Sequence, residues 1–272
     1  MASSVFFAHN GPMSDAEVNP RLRPVALVTG VGRRAGIGMA VAERLAKDGY
    51  EVAASYWAPY DARMAHGADE GIDKELTTRL SAKGARSLSL EVDLEETGAV
   101  EDLFDSVEEG LGPISALVMC HCESVDSGIL DTTVESFDRH FAVNARATWL
   151  LIREFGLRYK SVPGGGRIIA LTSDHTVGNL PYGASKGALD RITIAAAQEF
   201  KGLGITANVI NPGPTQTGWM TPELEARIKS ETPLDRLGVP EDCANLVAFL
   251  CSPEGGWING QLLHSNGGLG SG

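Results

Sequence analysis

Positive charge is scarce in this chain: 23 Lys and Arg face 35 Asp and Glu, for a net charge of -12. Such an acidic surface repels phosphate backbones, which argues against a nucleic-acid partner. Long apolar runs are missing too. None approaches the ~20 residues that span a bilayer, so no membrane partner is expected. Near the N-terminus only Val5-Phe-Phe-Ala8 is apolar and no basic residue precedes Arg21, so a secretory leader is not expected. Cysteine is limited to Cys120, Cys122, Cys243 and Cys251. That is too thin a framework for a disulfide-stapled secreted protein and predicts reduced thiols in a cytoplasmic chain. Internal repeats and interdomain linkers are absent as well.

What the chain does have is 43% apolar residues, ample for one sizeable core. Residues 1–22 are polar and punctuated by Pro and Gly, and read as a flexible N-terminal arm before a single domain over 23–272. Short runs of apolar residues alternate with helical patterns. Val25-Ala-Leu-Val-Thr29 is apolar throughout, as a strand covered on both faces should be. Further strands are predicted at 51–56, 87–92, 116–119, 167–172, 206–210 and 261–264. Helices are predicted from Ile37 to Gly49, at 69–82, 96–111, 182–202, 222–230 and 240–251, with one or two more in 134–160. This alternation implies an α/β fold: a doubly wound, mostly parallel seven-stranded sheet with helices on both faces, a three-layer sandwich.

The first strand runs into Gly30-Val-Gly-Arg-Arg-Ala-Gly-Ile-Gly38 and then a helix. Glycines let a backbone approach a pyrophosphate, and a helix N-terminus offers free N–H groups, so this is the geometry of a Rossmann-like dinucleotide cradle. Two registers fit: Gly30-x-Gly32-x-x-Ala35, or Thr29-Gly30 followed by Gly36-Ile37-Gly38. An acid ending the second strand would select NAD, but Ser55-Tyr56-Trp57 has none and the next is Asp61. Arg33 and Arg34 lie in the turn, where a guanidinium can hold a 2′-phosphate, which favours NADP(H) over NAD(H).

Tyr182 and Lys186 stand four apart at the start of a predicted helix that Pro181 opens, so they share one face. A nearby ammonium favours phenolate and is expected to pull the tyrosine pKa down, making a general acid or base. Ser173, ending the preceding strand, is a candidate to hydrogen-bond the reacting oxygen.

Taken together these motifs resemble the short-chain dehydrogenase/reductase family of the single-domain type, over about residues 24–268. Asp93-Leu94, Asn144 within Val143-Asn-Ala-Arg146, Asn211-Pro-Gly213…Thr217 and Gly260-Gln261…Asn266-Gly-Gly268 complete the pattern. The resemblance implies that Tyr182 transfers a proton at the substrate oxygen and Lys186 lowers its pKa and binds the nicotinamide ribose. It further implies that Ser173 positions the carbonyl and Asn144 holds a relay water. Asp93 and Leu94 would flank the adenine, while Pro212, Gly213, Thr215 and Thr217 border the nicotinamide. It also implies a homotetramer or homodimer, for which the apolar C-terminal stretch through Trp257 and Leu262-Leu263 is the candidate interface.

Three departures stand out. The glycine turn is longer than usual. Met119-Cys-His-Cys122 replaces the customary Asn-Asn-Ala-Gly; adjacent ligands without a second pair make a poor zinc site, so no metal is expected and Cys120 is read as cofactor-lining. Ser173 and Tyr182 also lie closer together than is usual, which leaves Thr172 as the alternative to Ser173. The expected activity is hydride transfer between NADP(H) and a small carbonyl or secondary alcohol, with 3-oxoacyl-carrier-protein reductases the nearest look-alikes. A lid over 215–237 is expected to cover the substrate; Trp219, Met220 and Leu224 either offer it apolar contacts or pack a small helix against the core. The rivals are an enoyl reductase, whose Tyr and Lys usually stand farther apart, a catalytically silent nucleotide-binding regulator, and a methyltransferase, which an acid ending the second strand would favour.

Overall fold

In the computed structural model, residues 23–160 and 165–270 are described. The arm expected at residues 1–22 lies outside them. Seven strands form one parallel sheet: β1 (Val25–Thr29), β2 (Glu51–Tyr56), β3 (Ser87–Glu91), β4 (Ile114–Met119), β5 (Arg167–Leu171), β6 (Thr206–Asn211) and β7 (Leu262–His264). Their order is β3-β2-β1-β4-β5-β6-β7. The chain winds outward from β1 to β3, then crosses back to lay β4 on the other side of β1. A crevice opens at such a switch point, beyond the carboxyl ends of the strands.

The pleat explains the three layers, because successive side chains leave a strand on opposite faces. Ala26 and Val28 point into one core with α1 (Ile37–Lys47), α3 (Ile72–Ser81) and α9 (Pro240–Cys251). Val25 and Leu27 point into the other with α4 (Ala99–Gly110), α6 (Ala147–Arg158) and α7 (Leu180–Glu199). Every residue of β1, β5 and β6 is buried. The edge strand β3 is only partly covered, which its alternating Ser and Leu allow.

Three features depart from the sequence expectation. A short helix, α2 (Ala58–Arg63), follows β2, with Pro59 in its first turn, where no element was expected. The 134–160 region is α5 (Val134–His140), a π-helical turn (Phe141–Arg146) and α6. Helix α7 starts at Leu180, earlier than the expected 182, with Pro181 in the first turn, where its missing N–H costs nothing. The last helix before α9, α8 (Pro222–Glu231), is capped by the Thr221 side chain and buries Ile228.

Candidate active site

The candidate site sits at the carboxyl ends of β1, β4 and β5, against the first turns of α7. Lys186 is 2% exposed, and its Nζ donates to Leu171 O at 2.9 Å and His121 O at 3.5 Å. It stands 5.7 Å from the centre of the Tyr182 ring. Burial lowers the Lys186 pKa. Burial likewise raises the Tyr182 phenol above its ordinary range, only partly offset by a hydrogen bond with the Ser173 side chain. The expectation of a tyrosine pulled down by its lysine is therefore corrected. Desolvation outweighs the ammonium, which is turned to backbone carbonyls.

Ser173 and Thr172 divide their tasks by direction. Ser173 meets the Tyr182 hydroxyl and accepts from His175 N at 3.1 Å. Thr172 is buried, and its hydroxyl turns to Lys186 O at 3.5 Å and to the Asp190 carboxyl.

Asn144 lies fully buried in the π-helical turn, a helix irregularity often found at functional sites. Its Oδ1 accepts from Glu123 N and its Nδ2 donates to Glu123 O, both at 2.8 Å. The same amide donates to Ser185 Oγ at 2.9 Å, which in turn donates to Tyr182 O at 2.8 Å. Asn144 thereby ties the loop after β4 to the helix that carries Tyr182.

The Cys-His-Cys run scatters its side chains. His121 Nε2 lies 3.1 Å from Val143 O, an atom that only accepts, so this nitrogen carries the proton. Nδ1 is then free to accept from Thr29 Oγ1 at 2.6 Å. Burial, with Lys186 adding to it, lowers the His121 pKa to about 3. Cys122 hydrogen-bonds Tyr60 of α2, while Cys120 lies beside Lys186 and Cys243. No group of three or more His, Cys, Asp or Glu that could hold a metal occurs among the described residues.

The glycine turn is shaped by close backbone approach. Gly30 has φ +75°, and a β-carbon there would lie 2.5 Å from His121 N. A β-carbon on Gly38 would lie 2.5 Å from Gly30 O. Gly36 caps α1 with no side-chain oxygen, and the first turn holds no acid, so the positive helix terminus is left for an anion. These residues fit a dinucleotide phosphate. The two turn arginines differ: Arg34 is engaged by Glu75, by Asp69 at 3.0 Å and by Glu70 O at 2.7 Å. Arg33 stays on the cleft side, next to Gly218 of the segment after β6.

The remaining expected residues lie at or beyond the carboxyl ends of β2, β3 and β6. Tyr56 ends β2 beside Gly32. Asp93 accepts from Glu95 N at 2.9 Å, and Leu94 is buried. Beyond β6, Gly213 (φ +62°) packs on Asn266, and Thr215 donates to Pro212 O and Gly213 O at 3.3 Å. Within the expected lid Met220 is buried, Leu224 half-buried and Trp219 exposed. Sequence reasoning missed helix α2, which sets Asp61 against Gly32, Tyr60 against Cys122 and Arg63 against Glu123. A six-residue helix has too little periodicity to be read.

A switch-point cleft with a glycine cradle at one end and a Ser-Tyr-Lys cluster at the other defines a Rossmann-type oxidoreductase. A family model described as enoyl-(acyl carrier protein) reductase matches residues 30–270. An uncharacterized oxidoreductase of Bacillus subtilis, YjdA, is 35% identical over 250 residues, covering 90% of this chain and 96% of its own. An Arabidopsis thaliana protein called NADPH-dependent aldehyde reductase-like, chloroplastic, is 37% identical over 262 residues, covering 90% and 93%. The crystal structure of angucycline C-6 ketoreductase LanV with bound NADP superposes with TM-score 0.80 at 30% identity, over 92% of this chain and 97% of that one. The chain belongs to the short-chain dehydrogenase/reductase family and is an oxidoreductase.

Proposed function

We propose that this protein is an NADP(H)-dependent carbonyl reductase, interconverting a ketone, such as a 3-oxoacyl thioester, and its secondary alcohol. The observation that carries the reading is the Ser173–Tyr182–Lys186 cluster at the end of β5, opposite an uncapped glycine turn. The relatives named for NADPH or solved with NADP support the cofactor.

Gly30, Gly36, Ile37 and Gly38 would hold the pyrophosphate, with Asp93 and Leu94 at the adenine. Arg33 alone is assigned the 2′-phosphate, because Arg34 is spent on Asp69 and Glu75. Tyr56 would border the adenosine ribose. Cys120, Pro212, Gly213, Thr215 and Thr217 would line the nicotinamide end. When bound, the dinucleotide supplies the hydride. Tyr182 gives its phenolic proton to the carbonyl oxygen, and Ser173 donates a second hydrogen bond to that oxygen. Lys186 stabilises the phenolate that results and would hold the nicotinamide ribose. Asn144 fixes the loop and helix that frame Tyr182 and would hold the relay water.

The segment 215–237 would close over the substrate. We assign a homotetramer or homodimer, supported by exposed Trp149 and Leu157 on α6 and by Trp257, 97% exposed. A cytoplasmic location accords with four free cysteines. No helix among the described residues is long and apolar enough to cross a membrane.

The test follows NADPH and NADH consumption against a carbonyl panel, with Tyr182→Phe alongside. We expect NADPH-selective turnover that falls by at least about a hundredfold in the variant; unchanged turnover in Tyr182→Phe refutes the assignment. A second reading, an enoyl reductase, rests on the description of the matched family model. The panel therefore includes a 2-enoyl thioester, and turnover of it but of no ketone would replace the first reading. Dinucleotide binding without any turnover would mark a silent regulator.

A further inference from the structure

Helix α2 packs against both the glycine turn and the loop after β4. Asp61 is 6% exposed, and its carboxylate rests on Gly32 so closely that a β-carbon there would collide with Oδ2. It faces the charge of Arg33 and has His66 Nε2 at 3.4 Å. The preceding residue, Tyr60, turns the other way, and its hydroxyl hydrogen-bonds Cys122, the thiol that neighbours Tyr182. One turn on, Arg63 pairs with the buried carboxylate of Glu123, whose backbone Asn144 grips on both sides.

A dinucleotide with a phosphate on the glycine turn and its nicotinamide at Tyr182 would span the two places that α2 touches: Gly32, on which Asp61 rests, and Cys122, which Tyr60 bonds. The carboxylate of Asp61 is an anion set against a turn whose helix dipole and Arg33 attract anions, which is the electrostatic part of a phosphate.

We propose that α2 is a strap that closes the free cleft, with Asp61 standing in for a cofactor phosphate and Tyr60 and Arg63 pinning the catalytic end. NADP(H) binds by displacing it. The inference rests on the dinucleotide reading of the cleft. A competent state that is only a minor fraction of the free protein weakens the apparent affinity by that fraction, and loosening the strap restores it.

The test measures NADPH dissociation constants of the full chain by fluorescence titration for wild type, Asp61→Ala, Tyr60→Ala and Arg63→Gln. Arg63→Gln keeps a check available if truncating Tyr60 or Asp61 disturbs folding. Hydrogen exchange of the amides of residues 58–66 is followed with and without NADPH. We expect roughly tenfold tighter binding when the strap is loosened, and faster exchange over 58–66 when NADPH binds the wild type. Unchanged affinity in all variants, with exchange unaltered by NADPH, overturns the strap. Weaker binding in Asp61→Ala also overturns it, by making Asp61 a ligand of the dinucleotide instead of its competitor. Binding of neither NADPH nor NADH by the wild type or any variant overturns the dinucleotide reading itself.

Discussion

His121 gives the fold a calculable weakness toward acid. Its ring is satisfied only when neutral: Nε2–H donates to Val143 O and Nδ1 accepts from Thr29 Oγ1. A second ring proton would create a buried cation beside Lys186, which is why its pKa falls from 6.5 to about 3. Above pH 6.5 the group is neutral in both the folded and the unfolded chain, and its contribution is constant. Below that, the unfolded chain takes up a proton that the native state refuses, so stability falls as pH falls, down to about pH 3. At about 1.4 kcal/mol per unit, the loss between about pH 7 and about pH 5 is about 2 kcal/mol. His121→Asn places an amide oxygen near Nδ1 and does not titrate. The variant should lose about 1 kcal/mol at neutral pH with the Val143 bond, yet its pH dependence should be shallower by about 2 kcal/mol. Urea unfolding at the two pH values measures the difference. His140, also lowered, and the raised carboxyls of Asp61, Glu123 and Asp190 titrate in both proteins and cancel. Equal losses in wild type and variant would refute the buried neutral imidazole.

Other positions yield sharper contrasts. Gly30→Ala combines a positive φ, costing about 1–2 kcal/mol, with a collision on His121 N and Cys120 C; thermal unfolding should show a loss of several degrees, and an unchanged midpoint would count against the close approach. Ser173→Ala should lower kcat about a hundredfold, whereas Thr172→Val should cost stability through its Asp190 bond and leave kcat near wild type; steady-state kinetics on both would expose a reversed assignment. Arg33→Ala should raise KM for NADPH about tenfold relative to NADH, the loss of one charge-assisted contact, while Arg34→Ala should leave that ratio unmoved; equal effects in the two variants would contradict the division of labour between them.

The sheet was legible because its central strands are apolar on both faces and its helices carry one apolar stripe, both local properties of sequence. The Tyr182–Lys186 pair and the glycine turn were legible for the same reason, since each is a short spacing whose geometry a helix or turn enforces. The direction of the Tyr182 shift was not, because desolvation depends on what packs around the ring and not on a residue four places away. The different partners of Thr172 and Ser173 were not legible either: both meet α7, but only the fold turns Ser173 to the Tyr182 hydroxyl and Thr172 to Lys186 O and Asp190. Arg33 and Arg34 are equivalent in sequence; only the fold brings Asp69 and Glu75 to one of them. Helix α2 escaped notice because six residues opened by a proline carry no periodic signal, and its partners Gly32, Cys122 and Glu123 are distant in sequence.

Burial sets the electrostatics of the candidate site first, and one buried ammonium adds to it. Lys186 hydrogen-bonds carbonyl dipoles, and neither of its hydrogen-bond acceptors is a carboxylate. Its charge is only partly neutralised, which explains why it helps hold His121 neutral. A neutral phenol gains little from that field, and burial holds the Tyr182 pKa above its ordinary range. Under the proposed reading, a phenolate formed as Tyr182 gave up its proton would gain much more, because the interaction strengthens where water is excluded. Such an arrangement would favour the charge that develops during proton transfer over the charge present before it, which is the condition for lowering a barrier instead of merely tightening a ground state.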